Sequence, residues 1–230
     1  MLFRQLFDQE TSTWTYLLAR REGGQALIID PVDVKTDMYL ELMAQLGLKL
    51  ALAIDTHTHA DHITALGALQ ERTGCMTVMG EFTRAEGVSR RVRDGEAIEC
   101  DGLSLTALFT PGHTDESFSF LMQDRVFTGD VLHYRGTGRT DFQSGDPHKS
   151  WDSIVNKLFR LPDATLVYAS HDYQGWTVST IGEEKRFNPR LAGKSEADYV
   201  RIMRTLALPR PRLMDVAVPA NLRCGKTASP

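Results

Sequence analysis

Cysteine, long apolar runs and surplus positive charge are all scarce in this sequence, and each shortage excludes something. The three cysteines, Cys75, Cys100 and Cys224, are odd in number, far apart and form no CxxC pair. That argues against a disulfide framework and a thiolate zinc site, and it makes a reducing cytoplasm the expected compartment. No apolar run approaches the ~20 residues a spanning helix needs, so no membrane association is expected. The opening MLFRQLFDQETSTW has neither the apolar core nor the small-residue cleavage site of a signal peptide, and its acidic residues do not suit a transit peptide. Lys and Arg total 26 against 30 Asp and Glu, a formal net charge of -4. A nucleic-acid binder normally carries a basic footprint, so no nucleic-acid partner is expected. The short run Arg90, Arg91 and Arg93 reads as solvated surface.

What is present is ordinary globular material. With 42% hydrophobic residues in 230, the chain can bury a sizeable core and is expected to form one domain over residues 1–230. Trp14–Ala19 and Ala26–Asp30 read as strands joined by a turn at Glu22-Gly23-Gly24. Lys35–Leu46 carries Met38, Leu40, Leu42, Met43 and Leu46 at helical spacing and stops at Gly47. Leu50–Asp55 reads as a buried strand, and Ile63–Arg72 as a helix closed by Gly74. Met76–Met79, Leu103–Phe109, Phe118–Met122, Arg125–Phe127 and Leu166–Ser170 are further strand candidates, with a helix at Trp151–Leu161. Pro209, Pro211, Pro219 and Pro230 predict an irregular tail from about residue 207. The pattern is α/β, with chemistry at strand ends and loops.

Five of the seven histidines fall where a metal site would want them. His57, His59 and His62, with Asp61, occupy one strand-to-helix loop. His113 follows Thr110-Pro-Gly, Asp130 follows Phe127-Thr-Gly, and His171 follows Tyr168-Ala-Ser. Desolvating three imidazoles and a carboxylate together without a cation costs several kcal/mol, so the cluster predicts a metal. Imidazole and carboxylate suit zinc, iron or manganese, and residue types alone leave one ion or two equally open. His133, three residues beyond Asp130, reads as a loop histidine, and His148 as exposed or at a helix start.

The ordered run His57-x-His59-x-Asp61-His62, then His113, Asp130 and His171, resembles the metallo-β-lactamase superfamily, which implies an αββα sandwich. Four further stretches sharpen the likeness: Gly138-Arg-Thr-Asp-Phe-Gln143, Ser170-His-Asp-Tyr-Gln-Gly175, Phe187-Asn-Pro-Arg-Leu191 and Val218-Pro-Ala-Asn-Leu-Arg-Cys-Gly225. Together with Arg4-Gln-Leu-Phe7 and Thr15-Tyr-Leu17, they are similar to the persulfide dioxygenases of the ethylmalonic-encephalopathy protein type.

Carried over position by position, the resemblance implies one non-haem Fe(2+) per chain, held by His57, His113 and Asp130 as a two-histidine, one-carboxylate triad with open positions. It implies glutathione persulfide and O2 as substrates, sulfite and glutathione as products, and a homo-oligomer, dimer or tetramer. His59, Asp61, His62 and His171 then orient ligands and set the electrostatics around them. Arg139, Tyr173 and Arg190 lie in matching motifs and are candidates for binding the charged glutathione moiety. The rival is a glyoxalase II-like thioesterase holding two Zn(2+), which shares the histidine run. Against it stand the Gly138–Phe142 stretch and the lack of a long basic carboxy-terminal extension.

Overall fold

A computed structural model describes residues 1–226. The chain divides into two compact units: residues 1–92, 97–105 and from 210 on make the first, and 93–96 with 106–209 the second.

The sheet of the first unit runs β1-β2-β3-β4-β5-β6. Its strands are β1 (Leu2–Asp8), β2 (Thr13–Ala19), β3 (Gln25–Ile29), β4 (Lys49–Ile54), β5 (Met76–Gly80) and β6 (Arg90–Val92). β1, β2 and β3 pair antiparallel, and β3 to β6 pair parallel, with Ile29 opposite Ile54 and Ile54 opposite Val78. β3, β4 and β5 are nearly continuous buried runs because both of their faces are covered, as parallel strands require. Helices α1 (Thr36–Gln45) and α2 (Leu66–Thr73) cover one face, placing Tyr39, Met43, Leu66 and Leu69 against Leu17, Ile28 and Ala53. Each such large apolar side chain contributes about 1.5–3 kcal/mol on burial.

Two departures from the expected elements are informative. α2 begins at Leu66 rather than Ile63, because Thr64 bridges to Val32 and the Ala65 N–H is taken by the Pro31 carbonyl. Residues 214–221, expected to be irregular, form helix α6 (Met214–Asn221) with Pro219 inside it. Proline counted as a breaker; Pro219 is the sixth of the eight residues, where it forgoes one i→i−4 bond, and the helix ends two residues later. The arginines at 90 and 91 lie on an edge strand, where charge discourages pairing with other chains. A short strand, β7 (Ala97–Cys100), follows, and β8 (Leu103–Phe109) leads on into the second unit.

There β9 (Phe118–Leu121) and β10 (Arg125–Gly129) are antiparallel neighbours, and β10 runs parallel to β13 (Leu166–Ala169), which pairs with β14 (Ser179–Thr180). A two-strand hairpin, β11 (Leu132–His133) and β12 (Gly136–Thr137), interrupts the sequence after β10. The expected helix at 151–161 starts earlier, at α3 (Pro147–Trp151), because Asp146 accepts the His148 and Lys149 N–H groups and Pro147 fits the first turn. It continues through wider and then tighter turns to Arg160. Two unanticipated helices follow: α4 (Ile181–Phe187), capped by Thr180, and α5 (Glu196–Thr205), opened by the Ser195–Asp198 capping box. Val126, Ile154, Leu158, Val167, Ile181, Tyr199 and Met203 form this unit's core.

Candidate metal centre

In the first unit the histidine loop leaves the carboxyl end of β4. His57, His59 and His62 are each at most 2% exposed, and their rings follow one another at a tilt, with centroids 4.2 and 4.3 Å apart. Asp30, just beyond β3 with φ 51°, anchors the loop. Its Oδ1 accepts the Thr56 N–H at 2.7 Å and its Oδ2 accepts the Thr56 hydroxyl at 3.0 Å. Since that hydroxyl donates to Asp30, it can only accept from His57 Nδ1, 2.9 Å away. His57 therefore carries its proton on Nδ1 and its lone pair on Nε2, the nitrogen a metal would use.

Asp30 also lies 3.2 Å from His59 Nε2. Burial lowers the His59 pKa, but the Asp30 charge and hydrogen bond outweigh it and raise it to about 9. His62 Nδ1 is 2.8 Å from Asp61 Oδ2, which also accepts the Thr13 hydroxyl at 3.1 Å. His59, Asp61 and His62 bring ligand-type atoms within 4.8 Å of one another. Sequence reasoning missed Asp30; its only signal was a carboxylate at the end of an apolar strand.

In the second unit, β10 and β13 are parallel neighbours, so their carboxyl ends bring Asp130 and His171 together. His171 Nδ1 is 2.7 Å and His133 Nε2 3.2 Å from the same oxygen, Asp130 Oδ1. His113 Nε2 is 3.5 Å from the other oxygen, Oδ2. His113 Nδ1 donates to the Arg139 carbonyl at 2.7 Å, which again leaves the lone pair on Nε2. Burial raises the Asp130 pKa, yet His171 and His133 outweigh it and hold this carboxyl well below the ordinary value. His113 is pushed down by burial against the pull of Asp130. A neutral His113 presenting Nε2 beside the ionised Asp130 carboxylate offers donors of the kind a divalent metal takes. His133, expected as a loop histidine, is part of this carboxylate's surroundings. Gly138 packs so tightly here that a Cβ would lie 1.9 Å from Asp130 O and 2.9 Å from His113 Nδ1.

The candidate substrate residues differ in how committed they are. Arg139 forms a bidentate pair with Asp141 at 2.6 and 2.8 Å, donates to the Pro209 and Leu208 carbonyls, and stacks over Phe142. Arg190 donates to the Thr137 carbonyl and hydroxyl. Tyr173 is 73% exposed and stacks on His171, with centroids 5.9 Å apart. Asp172 accepts the Gln174, Gly175 and Thr177 N–H groups and so shapes the turn that presents Tyr173.

Comparison with known proteins adds an independent line. Residues 9–171 match the family model described as Metallo-beta-lactamase superfamily. Mouse (Mus musculus) persulfide dioxygenase ETHE1, mitochondrial, is 42% identical over 233 residues, covering 100% of this chain and 91% of the relative. The human (Homo sapiens) protein of the same name is 43% identical over 228 residues, 98% of this chain and 89% of the relative. The crystal structure of ETHE1 from Myxococcus xanthus superposes with a TM-score of 0.96 at 53% identity, covering 98% of this chain and 100% of that one. These likenesses bear out the expected αββα fold class and favour the dioxygenase over the thioesterase. Among the described residues, no helix is long and apolar enough to cross a membrane.

Proposed function

The chain belongs to the metallo-β-lactamase superfamily, among its persulfide dioxygenases, and we propose that it oxidises glutathione persulfide with O2 at a single non-haem iron. The observation that carries the reaction is the end-to-end likeness to persulfide dioxygenases, 42% identity over 100% of this chain. What supports iron is the donor set. The proposed ligands are His57 and His113 through Nε2, and Asp130 through Oδ2.

The balance is one persulfide, one O2 and one water giving one thiol and one sulfite. Iron in such a triad supplies open coordination positions and redox chemistry that bring dioxygen to sulfur. The chain supplies the rest. Thr56 and the Arg139 carbonyl fix the tautomers and ring directions of His57 and His113. His171 and His133 both engage Asp130 Oδ1, which would leave Oδ2 for a metal and keeps the carboxylate ionised at neutral pH. His59, Asp61 and His62 set the surrounding electrostatics. In the same reading Tyr173 donates a hydrogen bond to glutathione. Arg139 and Arg190 bind its carboxylates by exchanging carbonyl partners for a charged one, a trade that a charge-assisted hydrogen bond favours.

The deciding experiment is metal analysis of freshly purified protein together with oxygen uptake. About one iron per chain, and oxygen consumed only when glutathione persulfide is added, is the expected result. Two zinc ions per chain with hydrolysis of an acylglutathione and no oxygen uptake would overturn the reading. A homo-oligomer, dimer or tetramer, belongs to the same proposal and is checked by sedimentation.

A further inference from the structure

The stretch Val218–Gly225 stands out in the sequence, yet nothing in the chemistry above gives it work. It forms the end of α6 and the turn after it, and it reaches the histidine loop of its own unit. Asn221 is 3% exposed and spends its whole carboxamide on that loop. Its Oδ1 accepts the Thr64 N–H at 2.9 Å, while its Nδ2 donates to the His59 carbonyl at 2.9 Å and the His62 carbonyl at 2.8 Å. One side chain thus satisfies three backbone groups spanning the six residues from His59 to Thr64, where the loop turns between its ligand-type side chains. The following turn closes on the same stretch. Cys224 O accepts the Gly67 N–H at 2.8 Å, and a Cβ on Gly225 would lie 2.0 Å from the Thr64 carbonyl.

Only asparagine suits this place. An aspartate has no donors for the two carbonyls, a serine hydroxyl has a single proton for them, and a glutamine is one methylene too long for a buried, filled position. The loop needs such fixing because three imidazole rings packed at a tilt, 4.2 and 4.3 Å apart, hold their directions only if the backbone beneath them holds its own. Metal affinity depends on that order, since ligands already in place lose less conformational freedom on binding.

We propose that Asn221 is a positioning residue for the metal loop, its carboxamide fixing the His59 and His62 carbonyls and thereby the directions of the histidine rings. The metal part of this inference rests on the reading of the site as an iron centre. The test compares Asn221→Ala and Asn221→Ser with Met43→Ala, a control that loosens the same unit's core at α1 without touching the loop. Two quantities are read: transfer of iron from folded holoenzyme to a ferrous chelator, and amide hydrogen exchange of residues 56–66 in the apoprotein.

Both Asn221 variants should lose iron about 10–100-fold more readily and exchange these loop amides faster by a similar factor, with β4 unchanged. Met43→Ala should lower Tm and leave both readings at the wild-type level. Asn221 variants that match wild type, or a control that moves both readings equally, would overturn the proposal. So would Asn221 variants that fail to fold where Met43→Ala folds, because Asn221 would then act on global stability. If wild-type protein takes up no iron, the iron reading fails instead, while the exchange measurement still decides the role of Asn221.

Discussion

The imidazole of His113 is held by the main chain of Arg139: Nδ1 lies 2.7 Å from the Arg139 carbonyl oxygen, so the side chain of Arg139 is not needed for that bond. The two functions that meet at this residue, orienting a metal ligand and engaging substrate, are therefore separable by mutation. Arg139→Ala should leave iron content unchanged and raise the apparent KM for glutathione persulfide. Iron assay and steady-state oxygen uptake check both parts, and an unchanged KM would confine the Arg139 side chain to its pair with Asp141.

Gly138 tests the same region through its backbone. A methyl group there would press on the Asp130 carbonyl and on His113 Nδ1 at once. Gly138→Ala should weaken iron retention by about 10–100-fold, the usual effect of displacing groups that orient metal ligands. Iron per chain after dialysis against chelator measures it.

Asp130→Ala should abolish both iron retention and persulfide-dependent oxygen uptake. It removes the one carboxylate proposed as a ligand and leaves His171 and His133 without the oxygen they share. A variant that kept iron and activity would overturn the ligand assignment.

Glu184 is fully buried, and its carboxylate pairs with the Arg135 guanidinium and accepts from the Arg135 backbone N–H, the Ser179 hydroxyl and the Asn188 carboxamide. Glu184→Ala removes the buried carboxylate, leaves the largely buried Arg135 guanidinium to the partly exposed Glu183, and should cost about 3 kcal/mol. Glu183→Ala, which removes a partly exposed partner of the same arginine, should cost at most about 1 kcal/mol. Thermal unfolding of the two variants separates the buried pair from the exposed one.

All three cysteines are buried, and burial raises each thiol pKa, that of Cys224 to about 11. Thiolate is the reactive form, so native protein at pH 8 should resist iodoacetamide and label fully once denatured. Because the folded pKa of Cys224 lies above its ordinary 9.0, the corresponding stability is present below pH 9 and falls away as the pH rises toward 11. The denaturant midpoint should decline over that interval, and Cys224→Ala should decline less.

Much of the site could be read from the chain because its signals are local. His57, His59, Asp61 and His62 fall within six residues after an apolar strand, so period, spacing and residue type point one way. His113, Asp130 and His171 each lie just past the carboxyl end of a strand, which is also a local mark. α4 and α5 were not anticipated, although the Ser195–Asp198 box offered a signal, and α6 was masked by Pro219. β1 and β6 are partly buried edge strands, with a weaker hydrophobic pattern than the central strands.

By itself, the sequence determined which side chains were candidates for metal chemistry and which family they resembled, because those depend on residue identity and order. Tertiary structure decided which nitrogen each imidazole presents, which oxygen of Asp130 is already engaged, and that Asn221 holds the loop from 159 to 162 residues away along the chain. Asp30, Thr56, His133 and Asn221 are unremarkable letters in a one-dimensional reading. Their roles come from hydrogen bonds between distant segments, and pairing of that kind exists only once burial has excluded water and left each polar atom to find a partner within the fold.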